Sequence, residues 1–279
     1  MRYPRQAGQF YEGTPDALRA QIEGCFTHRL GPGRLPKVTE RPFPNPLALV
    51  SPHAGYMFSG PVAAHGYYEA AVYGKPEAVI IIGPNHTGMG SGVSIVTNGW
   101  WRTPLGDIKV NRDLAERILT GSGIIDIDEH AHLFEHSIEV QLPFLQYIYG
   151  SDLTFIPICM MLQDLQTSRE VGIALAKALT GSNVLLIAST DLTHYEPQKV
   201  AEAKDSVVID AIVHLDEAEL QHVIEAKNVT MCGYGPVSAV IVAMKELGGR
   251  KSRLLSYHTS GDVTKDYAQV VGYCSIAIS

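Results

Sequence analysis

Paired cysteines are missing from this 279-residue chain. Cys25, Cys159, Cys232 and Cys274 show neither a CxxC motif nor a paired spacing, which argues against a disulfide framework and against a zinc ribbon. Long apolar runs are missing too: none approaches the roughly 20 residues of a membrane helix. The opening MRYPRQAGQFYEG has no apolar signal-like region. The expectation is therefore a cytoplasmic protein with reduced thiols and no membrane contact. Positive charge is in deficit, with 22 Lys plus Arg against 29 Asp plus Glu and a net charge of −7. Nucleic-acid binders usually carry a basic stripe, so no nucleic-acid partner is expected. There is no repeat and no low-complexity stretch. GxGxxG is absent (GMGSG has the wrong spacing), as are GxxxxGK[ST] and GxSxG. A dinucleotide fold, a P-loop and a serine-hydrolase elbow are thus unsupported.

What remains is the composition of a well-packed globular protein. With 46% hydrophobic residues, a chain of this length buries about three quarters of its unfolded surface and needs no staples. A single domain over residues 1–279 is expected. The segment 29–46, with five prolines, reads as a surface loop near the N-terminus rather than a linker. Strand candidates are 47–51, 78–83, 92–97, 153–160, 183–189, 253–258 and 269–278; helix candidates are 60–73, 112–120, 136–148, 167–180, 197–213, 216–225 and 236–248. Asn111 and Thr167 stand where N-caps belong, Gly121 and Gly248 near C-caps. AVIII and NVLLIA lack period-2 alternation, which predicts strands covered on both faces. The pattern predicts an α/β three-layer sandwich: a central mixed, largely parallel sheet flanked by helices on both faces. Residues 92–110 and 253–278 look like hairpins.

Three strand candidates end alike. LALVSPHAGY delivers His53, AVIIIGPNHTG delivers His86, and NVLLIASTDLTHY delivers Asp191 and His194. Ligands of open α/β sheets bind outside the carboxyl ends of the strands, so three such ends would ring one crevice. Each histidine alone would read as an ordinary loop residue; the repetition points to a site, walled in part by neighbours such as Tyr56, Asn85 and Tyr195. Cys232, in CGYGP, precedes a helix expected to begin near Pro236. A thiol close to a helix N-terminus has a lowered pKa, the alternative being a small buried hydrophobe, which is the reading for the other three cysteines. In DEHAHLFEHSIEVQLPFL, His132, His136 and Glu139 fall at i, i+4 and i+7 and would share one face of a helix. That face is either a site wall or a helix start with Glu135 favoured by the dipole; a zinc hydrolase built on it is a thinner alternative, since HExxH is absent. The aromatics of NGWWRTPLG either line a pocket or pack at a hairpin edge.

SPHAGYMFSG, GPNHTG, EHSIEVQLPFL, STDLTHY, CGYGP and GDVTKDYAQVVGY, with RQAGQFYEG at the start, resemble the MEMO family in order and spacing over essentially the whole chain. That family is similar in fold to class III extradiol dioxygenases, which hold non-haem Fe(II) with two histidines and a carboxylate. The resemblance implies His53 and His86 as metal ligands, His194 as acid/base, and Cys232 near the position of the dioxygenase glutamate. Fe(II) is the implied metal, with Cu or Zn as alternatives, and the thiolate makes the ion softer than a carboxylate would. Asp191 either supplies a carboxylate or orients a ligand histidine. The implied function is a metal-binding redox protein with a small-molecule or peptide ligand in a cleft that Glu139 and His136 help to wall; the alternative is a non-catalytic peptide- or protein-binding module. Prokaryotic members are associated by genome with a radical-SAM protein and an AMMECR1-like protein. Eukaryotic members are linked to phosphotyrosine peptides, a role not carried over to this chain.

Overall fold

The computed structural model describes every residue except 41, 42, 44 and 45. Its elements in chain order are α1 (Pro15–Thr27), β1 (Leu47–Ser51), α2 (Tyr56–Tyr73), β2 (Ala78–Pro84), β3 (Val93–Ile95), β4 (Trp100–Thr103), β5 (Gly106–Val110), α3 (Arg112–Thr120) and β6 (Asp126–Ile127). After two 3-10 turns, His130–His132 and Glu139–Gln141, come α4 (Leu142–Tyr149), β7 (Thr154–Met160), α5 (Leu165–Leu179), β8 (Val184–Ser189) and β9 (His194–Glu196). The chain closes with α6 (Gln198–Val213), α7 (Glu217–Ala226), α8 (Tyr234–Glu246), β10 (Ser252–Thr259), α9 (Ser260–Thr264) and β11 (Val270–Ile278).

The strands build one mixed sheet along the path β10-β11-β1-β8-β2-β7-β3-β6, with β5 beside β7, β4 beside β5 and β9 beside β11. Its centre, β1-β8-β2-β7, is parallel throughout. Alternate residues of each central strand feed opposite layers. Ile80, Ile82, Leu186 and Ala188 pack with residues of α3, α5, α6, α7 and α8; Val79, Ile81, Leu185 and Ile187 pack with residues of α1, α2 and α4. Both faces are covered, which is why these strands read as unbroken apolar runs. The three-layer α/β expectation holds.

Several expectations need correction. The helix expected over 136–148 is α4, which starts at Leu142 with Pro143 in its first turn. A helix running through Pro143 from residue 136 would lose a backbone hydrogen bond and set the ring against the carbonyl of Glu139. His132, His136 and Glu139 therefore share no helical face. Asn111 caps α3 through its side chain, accepting from the Leu114 N–H, but α5 is capped by Asp164, which accepts from both the N–H and the hydroxyl of Thr167. α1 was not expected, although Leu18, Ile22, Cys25 and Phe26 form its buried stripe. The 29–46 segment carries no helix or strand in its described residues, and four of its positions lie outside them.

The N-terminal residues form a strap across the 130–139 segment. Arg2 donates to a Glu139 carboxylate oxygen at 2.7 Å, to the His132 carbonyl at 2.7 Å and to the Glu135 carbonyl at 2.6 Å, with its guanidinium 4.1 Å above the Trp101 ring. Glu139 also accepts the backbone N–H groups of Arg5 and Gln6 and the Tyr11 hydroxyl. A fully buried carboxylate is tolerated only when paired and hydrogen-bonded this completely. The aromatics of NGWWRTPLG do both: Trp101 is buried under Arg2 in the β4–β5 hairpin, and with the exposed Trp100 it lines a small cavity of about 100 Å³.

Two stability measurements follow from this packing. Ile80, wholly buried in the central strand, should cost about 2–5 kcal/mol when truncated in Ile80→Ala, a fall of roughly 5–15 °C in Tm by calorimetry. Burial, helped by the charge of Arg2, lowers the His132 pKa to about 4 from 6.5. The unfolded chain then binds the proton first, so stability is lost as pH falls from 6.5 through 4, by up to about 3 kcal/mol. Urea denaturation of chelator-treated protein should show that loss shrinking by the same order in His132→Gln.

Candidate metal centre

The register of the parallel strands sets the geometry. Val50 pairs with Ala188, and Ala188 with Ile82, so the three strands end level. His53 lies three residues beyond Val50, Asp191 three beyond Ala188 and His86 four beyond Ile82. The loops must then rise side by side over one edge. Gly83 is required just below: a Cβ there would overlap the Ser137 side chain that crosses the end of β2.

His53 is buried. Its Nδ1 lies 2.8 Å from the Ser189 hydroxyl, which itself donates to the Ser137 carbonyl at 2.7 Å. With its only proton committed, Ser189 accepts from His53, so the His53 proton sits on Nδ1 and Nε2 is left as a bare acceptor. Nε2 faces the Cys232 sulfur at 3.3 Å. His86 is governed the same way. Its Nδ1 donates to Glu135 at 2.9 Å, and its own N–H donates to the second Glu135 oxygen at 2.6 Å, so Nε2 is the ring nitrogen that Glu135 leaves free. Glu135 also accepts the N–H groups of His136 and Ser137. Burial alone would raise its pKa, but the hydrogen bond and charge of His86 outweigh it and hold this carboxylate well below its ordinary range.

The ligand atoms of His53, His86 and Cys232 all lie within 4.8 Å of one another. These three residues come from β1, β2 and the turn before α8. Their chemistry fits a metal: two imidazoles and one thiol, each imidazole oriented at Nδ1 by a buried partner. A second group at this distance, His86, Glu135 and His136, fits less well, because the Glu135 oxygens are already saturated by amides and His86. The set expected at His132, His136 and Glu139 does not form, and a zinc hydrolase on it is excluded by the strap contacts of Glu139. One expectation about Cys232 is also overturned. Burial, with Asp191 adding, pushes its thiol well up; the helix start at Tyr234 does not prevail, despite an N–H donated to the sulfur by Asp191 at 3.2 Å. Without metal the thiol therefore keeps its proton, aimed at the bare Nε2 of His53.

Around this set lies a cleft of about 740 Å³, to which His136, Asp191, His194 and Tyr195 contribute. His136 stacks on His86 with ring centroids 4.6 Å apart and meets His53 edge-on at 5.4 Å. Burial first, then the nearby imidazoles, keep His53 neutral well below its ordinary pKa. Asp191 accepts the His53 N–H at 2.9 Å, and burial raises its carboxyl. His194 donates from Nδ1 to the Thr230 carbonyl at 2.8 Å, while Thr230 accepts the His194 N–H through its hydroxyl. Its Nε2 is thereby left as the free proton acceptor.

Three expected wall residues lie elsewhere. Glu139 anchors the strap beneath the surface. Tyr56 is buried and donates to the Val140 carbonyl. Asn85 braces its own turn, accepting from Thr87 and Gly88 and donating to the Met89 carbonyl. Conversely, Ser189, Gln141, Thr230, Phe10 and Tyr273 were not singled out from the sequence. Ser189, Gln141, Phe10 and Tyr273 lie inside the STDLTHY, EHSIEVQLPFL, RQAGQFYEG and GDVTKDYAQVVGY motifs, whereas Thr230 lies in none of them.

Among known proteins, the family model described as Memo-like protein matches residues 2–277. A MEMO1 family protein of Methanopyrus kandleri is 53% identical, with 99% of this chain and 98% of the relative covered. Another from Methanothermobacter thermautotrophicus is 50% identical, covering 99% and 100%, and one from Sulfolobus acidocaldarius is 48% identical, covering 99% and 98%. The crystal structure of an uncharacterised Escherichia coli protein superposes with a TM-score of 0.56 at 15% identity, over 84% of this chain and 99% of that one, a likeness of fold alone. Among the described residues no helix is long and apolar enough to cross a membrane. Sequence motifs, fold and relatives agree: this chain belongs to the MEMO1 family of Memo-like proteins.

Proposed function

We propose that the chain is a metalloprotein of redox function, a non-haem iron or copper protein whose ion is held by His53, His86 and Cys232 and whose substrate enters the adjoining cleft. The observation that carries this reading is the double locking of tautomers. Ser189 and Glu135 each accept from the Nδ1 of a histidine, His53 is left with Nε2 against the Cys232 sulfur, and a ring nitrogen of His86 lies within 4.8 Å of both. A structural histidine has no need of such an arrangement, whereas a ligand histidine does. When bound there, such an ion supplies electron exchange and Lewis acidity at the cleft floor. Around it, His194 Nε2 accepts or returns a proton from the substrate side, and Asp191 holds the His53 main chain in place. The rings of His136 and Phe10, 5.1 Å apart, stand beside the floor, where His86 stays open to solvent. A non-catalytic binding module using the same cleft is favoured by its exposed apolar rim, where Met57 and Tyr195 are 65% and 71% exposed.

Protein purified without oxygen or chelator should hold close to one redox-active ion per chain by elemental analysis, and His86→Ala and Cys232→Ser should lose it while retaining the far-ultraviolet spectrum of the parent. No ion in the parent, even after reconstitution with iron, copper or zinc, overturns the metal reading and leaves the binding module. Because the ligand thiol starts protonated, loading the ion near neutral pH should release a proton, visible as a dependence of calorimetric heat on the buffer used. Glu135→Gln removes the charge and replaces one of the two oxygens that hold His86 with a donor, and should weaken metal affinity by about 10–100-fold in a chelator competition, with the fold intact.

A further inference from the structure

The wall of the cleft carries information about its ligand that the metal centre does not. Four aromatic rings face it, and each comes from a different segment: Phe10 from the strap, Phe58 from α2, Tyr195 from β9 and Tyr273 from β11. A volume of about 740 Å³ is that of a small-molecule site. Tyr195 is the most telling of the four. It adopts a left-handed backbone with φ of 59°, a conformation that costs a side-chain-bearing residue on the order of 1 kcal/mol. The pairing of its two neighbours, His194 with Val271 and Glu196 with Val270, enforces that conformation. The outcome is a ring 71% exposed to solvent, beside the His194 ring at 5.8 Å. A large apolar group held out at the mouth of a cleft, at a conformational cost, is placed for contact.

Among the described residues that line the cleft there is no lysine and no arginine; the carboxylates are Asp191 on the floor and Asp266 at the rim. Two cations near the lining residues in sequence, Arg5 and Lys265, make contacts elsewhere. Arg5 lies over the Phe134 ring at 4.6 Å and donates to the Leu133 carbonyl, and Lys265 donates to the Asp262 carbonyl. Phosphate and carboxylate recognition relies on guanidinium or ammonium groups at close range, and this wall has none. Ring faces and a carboxylate are instead the partners of an organic cation.

We propose that the cleft takes a flat aromatic molecule bearing an ammonium group, its ring between Phe10 and Tyr195 and its charge at Asp266, and that it discriminates against aromatic anions. This assignment rests on the cleft being the ligand site of the proposed function, but it does not depend on the metal.

The experiment uses three probes of one shape and different charge: 2-phenylethylamine, 3-phenylpropanamide and 3-phenylpropanoate. Each is titrated calorimetrically into the full chain after chelator treatment, so that no ion can capture the carboxylate. The amine should bind about tenfold more tightly than the carboxylate, the combined weight of a cation–ring contact and one exposed charge pair. In Asp266→Asn that preference should fall to about threefold or less, because only the pair is removed. The asparagine still accepts the Ala268 N–H that Asp266 accepts now, which preserves the turn. Tyr195→Ala should weaken all three probes without altering their order. Equal or tighter binding of the carboxylate, or no binding of any probe to a chain with an intact thermal transition, overturns the proposal. Amine binding by a chain that never takes up metal would leave the proposal standing and remove the metal reading; carboxylate preference in a chain that does load metal would do the reverse.

Discussion

The hydroxyl of Ser189 is the knot to which the site is tied. It ends β8, donates to the Ser137 carbonyl, and accepts from both Gln141 Nε2 and His53 Nδ1. One oxygen thereby fixes the height of a central strand, the path of the 135–141 segment over the sheet edge and the tautomer of a candidate ligand. Gln141 extends the knot. Wholly enclosed, it accepts from the Ser51 and Tyr67 hydroxyls and donates to the Pro52 carbonyl, binding the end of β1 to the same segment. A buried network of this kind holds only if every member is satisfied, since one orphaned group would cost about 1–3 kcal/mol.

Four buried carboxylates show how burial is resolved differently for different ends. Glu139 is met by an arginine, two amides and a phenol, and serves the architecture. Glu135 is met by amides and His86, which keep it ionised and make it the acceptor that orients the candidate ligand His86. Asp191 receives fewer donors than its burial demands, and its carboxyl is raised. Asp205, also raised, takes the Tyr257 hydroxyl and the Thr193 N–H and so supports the turn that carries His194. What separates these roles is the number and charge of donors around each group, not its distance from the surface.

The strap links architecture to site. Because Glu139 draws the N-terminal residues across the 130–139 segment, Gln9 and Phe10 arrive at the cleft, and the Phe10 carbonyl accepts the N–H that opens α2. A segment remote in sequence thus supplies part of the wall, and the loss of the Arg2–Glu139 pair would unseat both.

Periodicity determined the layers, because a strand covered on both faces has to be apolar along its length, and AVIII and VLLIA are. Repetition determined the site's location: three strands ending in His53, His86 and Asp191 with His194 could converge only if they ran parallel, and the unbroken apolar runs implied that they did. What lay beyond the sequence was every contact that closes over long separation. The apolar and acidic pattern of 132–139 looked helical, and only the strap decided that Glu139 would turn inward to Arg2. Cys232 stood at a helix start that would lower its pKa, yet enclosure against Asp191 raised it. Tautomers were invisible as well, since they depend on which oxygen has already spent its proton. The sequence by itself therefore determined the sheet, its faces and the residues brought to its edge. Tertiary structure alone decided their protonation, their partners and the charge of the cleft around them, because those follow from desolvation and neighbouring charge in three dimensions.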